Sequence, residues 1–116
     1  MPRRLGQHFL KTHEVARLLE VVSPGKGEIF LEIGPGQGAL TTPLAERAER
    51  VVAVELDRKL IPLLRATSPP NVEIVEGDAL ELDLGALVPP GSRLVGNLPY
   101  YVSSPLLRRI LDLRGR

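Results

Sequence analysis

Glu32-Ile33-Gly34-Pro35-Gly36-Gln37-Gly38 follows directly on the apolar run Ile29-Phe30-Leu31, and the reading of this stretch decides the fold. A buried strand that stops in a glycine-rich turn and then opens a helix is how an open α/β sheet makes room for a nucleotide-like ligand. The spacing narrows the ligand. Dinucleotide sites use G-x-G-x-x-G, whose backbone amides approach a pyrophosphate. Here the pattern is G-x-G-x-G with a proline inside it, and no Walker lysine follows. Such a turn suits a cofactor with a ribose and a compact charged tail but no phosphate, and S-adenosylmethionine is the common example. Taken alone, the same glycines would serve any tight turn that needs positive φ, so the rest of the chain has to decide.

Working outward, Val15, Leu18, Leu19 and Val22 recur at helical spacing over residues 12–22, with Thr12 available as N-cap. Ser23-Pro24-Gly25-Lys26-Gly27 ends that helix. Residues 29–33 read as the first strand and 39–48 as a helix with Leu40, Leu44 and Ala48 facing inward. Residues 51–55 form a continuous apolar run of the kind buried on both faces in parallel sheets. A helix over 58–65 stops at Ser68-Pro69-Pro70-Asn71, and a third strand over 72–75 ends in Glu76-Gly77-Asp78. After a loop rich in Gly and Pro, a fourth strand over 93–96 ends in Asn97-Leu98-Pro99-Tyr100. Residues 103–113 close the chain as a helix, capped by Ser103 or Ser104 with Pro105 in its first turn. Alternating strands and helices imply right-handed crossovers and a parallel sheet. The expected architecture is a Rossmann-like α/β fold, helices on both faces of a parallel sheet, strand order 3-2-1-4.

Composition sets the outer bounds. At 116 residues the chain makes one domain with a single core, and 43% hydrophobic with 25% charged residues reads as globular rather than disordered. A formal charge of +1 supplies no overall field towards nucleic acid. Basic residues nevertheless gather at Arg3, Arg4 and Lys11 and again at Arg108, Arg109, Arg114 and Arg116, where they either meet phosphates or stay solvated. No cysteine is present, which excludes disulfides, thiolate catalysis and cysteine-held zinc. No metal site is expected. No apolar stretch approaches the length of a membrane span, and the expected location is cytoplasmic.

Each of the four strands carries something chemical at its carboxyl end, where ligands bind in a doubly wound sheet. Strand one delivers Gly34, Gly36 and Gly38. Strand two delivers Glu55, 21 residues beyond Gly34, where an acidic side chain accepts from both ribose hydroxyls. Asp57 is the better candidate for a helix cap. Strand three delivers Asp78, either as acceptor for the exocyclic amine of a cofactor adenine or as an Asx-turn residue behind Gly77. Strand four delivers Asn97-Leu98-Pro99-Tyr100, which points to the chemistry. An aromatic amine is a poor nucleophile because its lone pair is delocalised into the ring. An Asn side-chain oxygen and a backbone carbonyl at the proline, both aimed at the amine hydrogens, draw that nitrogen towards a tetrahedral form. Positioning and preorganised dipoles then do most of the work. Tyr100 supplies a flat face for an unstacked base. The other reading of this segment is a proline turn with a buried tyrosine.

Taken in order, these motifs resemble the ribosomal RNA small-subunit adenine dimethyltransferases. The matching segments are Leu5-Gly6-Gln7-His8-Phe9-Leu10, Glu32 through Thr41, Val54-Glu55-Leu56-Asp57, Gly77-Asp78-Ala79 and Gly96-Asn97-Leu98-Pro99-Tyr100. The resemblance implies methyl transfer from S-adenosylmethionine to adenines of small-subunit rRNA during ribosome assembly. It implies cofactor contacts from His8, Leu10, Gly34, Gly36, Gly38, Glu55, Asp78, Ala79 and Asn97, with Asn97, Pro99 and Tyr100 at the target adenine. The segment 7–10 would fold over the cofactor as a lid. His8 stands where the family usually has Asn, and Tyr101 where a polar Asn is common. The resemblance implies the methyltransferase form of this fold and, since the family continues beyond the fourth motif, a catalytic domain truncated after strand four. The expectation is therefore a fragment or a self-associating half-domain, with strand four as an open edge and weak activity alone. The alternative function is a non-catalytic cofactor- or RNA-binding module. A nicotinamide oxidoreductase on the same fold is disfavoured by the glycine spacing and by Asn97-Leu98-Pro99-Tyr100.

Overall fold

The computed structural model describes residues 12–96. The elements are α1 (Thr12–Val22), β1 (Ile29–Ile33), α2 (Thr41–Arg47), β2 (Arg50–Glu55), α3 (Ile61–Thr67), β3 (Val72–Glu76), α4 (Leu84–Leu87) and β4 (Arg93–Gly96), with a 3-10 turn over Arg58–Leu60 before α3. The strands form one sheet in the order β3-β2-β1-β4, every pair parallel. The expected topology is the observed one. β2 is buried from Val51 to Glu55 because helices cover both of its faces.

Strand alternation sorts the core into two faces. Phe30 and Val51 point to one side and pack with Leu44, Ala45 and Ala48 of the α2 segment. Ala53 and Ile74 extend that side against Ile61 and Leu64 of α3. Leu31, Ile33, Val52 and Val54 point the other way and meet Ala79, Leu84 and Val88. Each fully buried aliphatic or aromatic side chain here contributes about 1.5–3 kcal/mol relative to exposure. Burial of these two faces holds the four strand ends in register at one rim of the sheet.

Local departures from the sequence expectations have identifiable causes. The helix expected over 39–48 runs from Thr41 to Arg47, because the glycine turn persists through Leu40, which takes the N-cap position. Leu40, Leu44 and Ala48 are buried as expected. The helix expected over 58–65 begins as the 3-10 turn, capped by Asp57, and becomes α-helical only at Ile61 with Pro62 in its first turn. Thr12 is itself helical rather than the cap. The loop before β4 contains α4, whose Leu84 with neighbouring Val88 is buried against the underside of β1 and β2. Four helical residues, Gly85 among them and Pro89 just beyond, leave too short an apolar period to read. The expected closing helix over 103–113, the arm over 7–10, and Asn97 through Tyr101 lie outside the described residues. No helix among the described residues is long and apolar enough to cross a membrane.

Candidate functional site

The last two carbonyls of β2 organise the rim. Gly34 N–H donates to Val54 O at 2.8 Å and Gly77 N–H donates to Glu55 O at 3.0 Å. The turns that leave β1 and β3 therefore both hang on the end of the strand between them. Gly34, Gly36 and Gly38 take φ values of 73°, 62° and 89°, the left-handed region that a Cβ penalises. This is why the turn needs glycine at alternate positions.

Glu55 ends β2 and is 2% exposed. Its Oε1 accepts from Gly36 N–H at 3.0 Å and its Oε2 from Asp57 N–H at 2.8 Å. A carboxylate offers about four acceptor sites, so two bonds to the chain leave acceptor capacity for a pair of vicinal hydroxyls. Beside it, Leu56 is 44% exposed, an apolar surface at the same strand end. Asp57 Oδ1 accepts from Lys59 N–H at 3.0 Å, the capping role expected of it. Asp78 Oδ1 accepts from Leu80 N–H at 2.9 Å, so the Asx-turn geometry is present. Ala79 behind it is buried in the lower core cluster.

A second buried carboxyl was not among the expected site residues. Glu32 is 1% exposed on β1, paired in the sheet with Ala53 and Val95. Its Oε1 accepts from Thr41 Oγ1 at 2.6 Å across the base of the glycine turn. Burial raises its pKa to about 7; the Thr41 hydrogen bond opposes that rise and the nearby Glu55 charge adds to it. The signal was in the sequence: an acid inside Ile29-Phe30-Leu31-Glu32-Ile33 has to be buried with a partner. Leu56 was likewise legible only as a large apolar residue directly after the strand-ending acid.

The structure thus brings together Gly34, Gly36, Gly38, Glu55 and the start of the Gly77-Asp78 turn. Gly96, paired with Ile33, ends β4 at the same rim, and Asn97 is the next residue in sequence. His8, Leu10, Asn97, Pro99 and Tyr100 lie outside the described residues. Among the described residues, no cluster of three or more His, Cys, Asp or Glu side chains could hold a metal ion. The donor set fits a small organic cofactor: a glycine turn without Cβ atoms beside a carboxylate with spare acceptor capacity.

Comparison with known proteins points the same way. The family model described as "Ribosomal RNA adenine dimethylase" matches residues 2–116. The ribosomal RNA small subunit methyltransferase A of Geobacter sulfurreducens is 50% identical, over 97% of this chain and 43% of its own length. Its counterpart from Rubrobacter xylanophilus is 52% identical, over 95% of this chain and 42% of its own length. Among solved structures, the 23S rRNA methyltransferase ErmE superposes with a TM-score of 0.78 and 33% identity, covering 91% of this chain and 43% of that one. The chain spans less than half the length of these relatives.

Proposed function

Since this chain belongs to the ribosomal RNA adenine dimethylase family, we propose that it binds S-adenosylmethionine at the strand ends and serves methyl transfer to the exocyclic amine of adenines in small-subunit rRNA. One observation carries the proposal: the glycine turn and Glu55 are joined through Gly36 N–H at 3.0 Å, so the ribose acceptor and the backbone cradle form one unit. Preorganisation of this kind lowers the ordering cost of binding.

When bound, the cofactor supplies an electrophilic methyl group on a sulfonium. Glu55 accepts from the ribose hydroxyls, Leu56 offers an apolar wall to the adenine, and Asp78 accepts from the adenine amine with the oxygen not committed to Leu80. By the family resemblance His8, Leu10 and Ala79 would contact the cofactor. Asn97 and the carbonyl at Pro99 accept from the target amine, which returns lone-pair density to its nitrogen, while Tyr100 stacks on the target base. None of these residues acts as a strong base; the catalysis proposed is positional and electrostatic. The substrate would be presented on the pre-ribosomal small subunit, in the cytoplasm. Among the described residues β4 pairs only with β1, and its other edge offers a route to self-association.

The test is incubation of the chain with methyl-labelled S-adenosylmethionine and immature small subunits, followed by nucleoside analysis. Label in N6-methylated adenosine supports the proposal. Saturable cofactor binding without transfer would instead assign the chain to the binding-module alternative, and no binding would overturn both.

A further inference from the structure

The loop between β1 and α2 is fastened at three places. Its edge is tied by Gly34 N–H to Val54 O at 2.8 Å, and its apex by Gly36 N–H to Glu55 Oε1 at 3.0 Å. Its base is closed by Thr41 Oγ1, at the first residue of α2, donating to Glu32 Oε1 of β1 at 2.6 Å. The first two fastenings belong to the site already described. The third is different: it joins two side chains that are 1% and 0% exposed, and none of the proposed cofactor contacts requires it. A carboxyl buried in an otherwise apolar strand costs folding free energy that an aliphatic residue would not. We propose that the Glu32–Thr41 hydrogen bond is a positioning brace: it fixes the first turn of α2 against β1 and thereby sets where the intervening glycine turn presents its amides to the cofactor. This inference rests on the cofactor reading above and adds to it a pair of residues that act through the turn rather than on the reacting atoms.

The brace has a built-in pH dependence. A hydroxyl donating to an ionised carboxylate makes a shorter and stronger bond than one donating to a neutral carboxyl. Glu32 titrates near pH 7, so the brace tightens as pH rises through neutrality. The groups packed around it leave few other titrating sources. Its sheet neighbours Ala53 and Val95 are apolar, Thr41 is neutral, and Glu55 on β2 is the charged group acting on it.

The experiment is calorimetric titration of S-adenosylhomocysteine, a stable cofactor analogue, into the 116-residue chain between pH 6 and 8, with Thr41→Val, Thr41→Ser and Glu32→Gln. The unsubstituted chain should bind up to about tenfold more tightly at pH 8 than at pH 6, following the ionised fraction of a group titrating near 7. Glu32→Gln should bind with a flat profile. Thr41→Ser should retain the wild-type profile, whereas Thr41→Val should weaken binding about tenfold at pH 8, the loss of one buried charge-assisted bond. A purely structural role would lower the melting temperature without moving the pH profile. If Thr41→Val does not fold by circular dichroism, the profiles of the unsubstituted chain and Glu32→Gln decide alone. Binding independent of pH, or a pH profile unchanged in Glu32→Gln, overturns the brace and leaves the cofactor reading standing. Absence of saturable binding by the unsubstituted chain overturns both.

Discussion

The two ends of the sheet treat their acids in opposite ways. At the amino ends of the strands, Glu28 accepts from Arg93 at 3.0 and 3.2 Å and from Gly25 N–H at 2.7 Å, and the Arg93 guanidinium lies 5.0 Å from the Phe30 ring centroid. Charge there is cancelled within the fold. At the carboxyl ends, Glu32 and Glu55 are more deeply buried, and among the described residues neither is in an ion pair. A hydroxyl and two backbone amides hold them instead. An acid satisfied by a cation ties elements together. Acids satisfied by weaker neutral donors, at the rim where strand order changes, keep acceptor capacity for something that arrives from outside.

The largest expected effect lies at the carboxyl rim. Glu55→Ala removes the proposed ribose acceptor and the tether of Gly36 together, and should reduce cofactor affinity at least about a hundredfold, since hydrogen bonds to a charged group contribute about 1.5–3 kcal/mol each. Calorimetric titration checks it, and an affinity within threefold of the unsubstituted chain would break the contrast between the two rims.

Next comes the pH dependence of stability. Glu32 is raised from 4.5 to about 7 in the folded chain, so between those values the folded state holds a proton that the unfolded state has lost. The stability this provides is fully present below about pH 4.5 and is lost as pH rises through 7. Glu32→Gln should therefore gain on the unsubstituted chain by up to about 3 kcal/mol between pH 4.5 and 8. Urea unfolding at the two pH values measures the difference, and parallel behaviour of the two proteins would show that Glu32 is not held protonated.

Smaller effects follow. Gly36→Ala places a Cβ on a residue at φ 62° and should cost about 1–2 kcal/mol of stability, along with cofactor affinity. At the opposite rim, Glu28→Ala breaks an ion pair whose side chains are each 38% exposed, so the expected loss is about 1 kcal/mol or less. Affinity should not change. A Glu28 variant that binds cofactor poorly would erase the functional distinction between the two ends.

The sheet was legible because its cause is local: apolar runs at 29–33 and 51–55 separated by helical periods leave few alternatives to a parallel order with β1 in the middle. The positions of the glycine turn and Glu55 at strand ends were legible for the same reason, as they follow from spacing to the apolar runs. What could not be read was tertiary. That Glu55 holds Gly36, that Thr41 reaches back nine positions to Glu32, and that Leu84 and Val88 cover the underside all depend on contacts created by folding. Asp78 forms the Asx turn that its place behind Gly77 suggests. Helix boundaries moved for a simpler reason, because glycine at Gly38 and the Asp57 cap each delay the first α-helical turn.

Amide chemical-shift mapping during titration of S-adenosylmethionine into the isotope-labelled chain tests the division of the molecule most directly. Saturable shifts should appear at Gly34, Gly36, Gly38, Leu56, Asp57 and Asp78, while Gly25, Glu28 and Arg93 stay still. Shifts centred on the Glu28–Arg93 end, or no saturable shift at the glycine turn, would contradict the assignment of the carboxyl rim as the binding site.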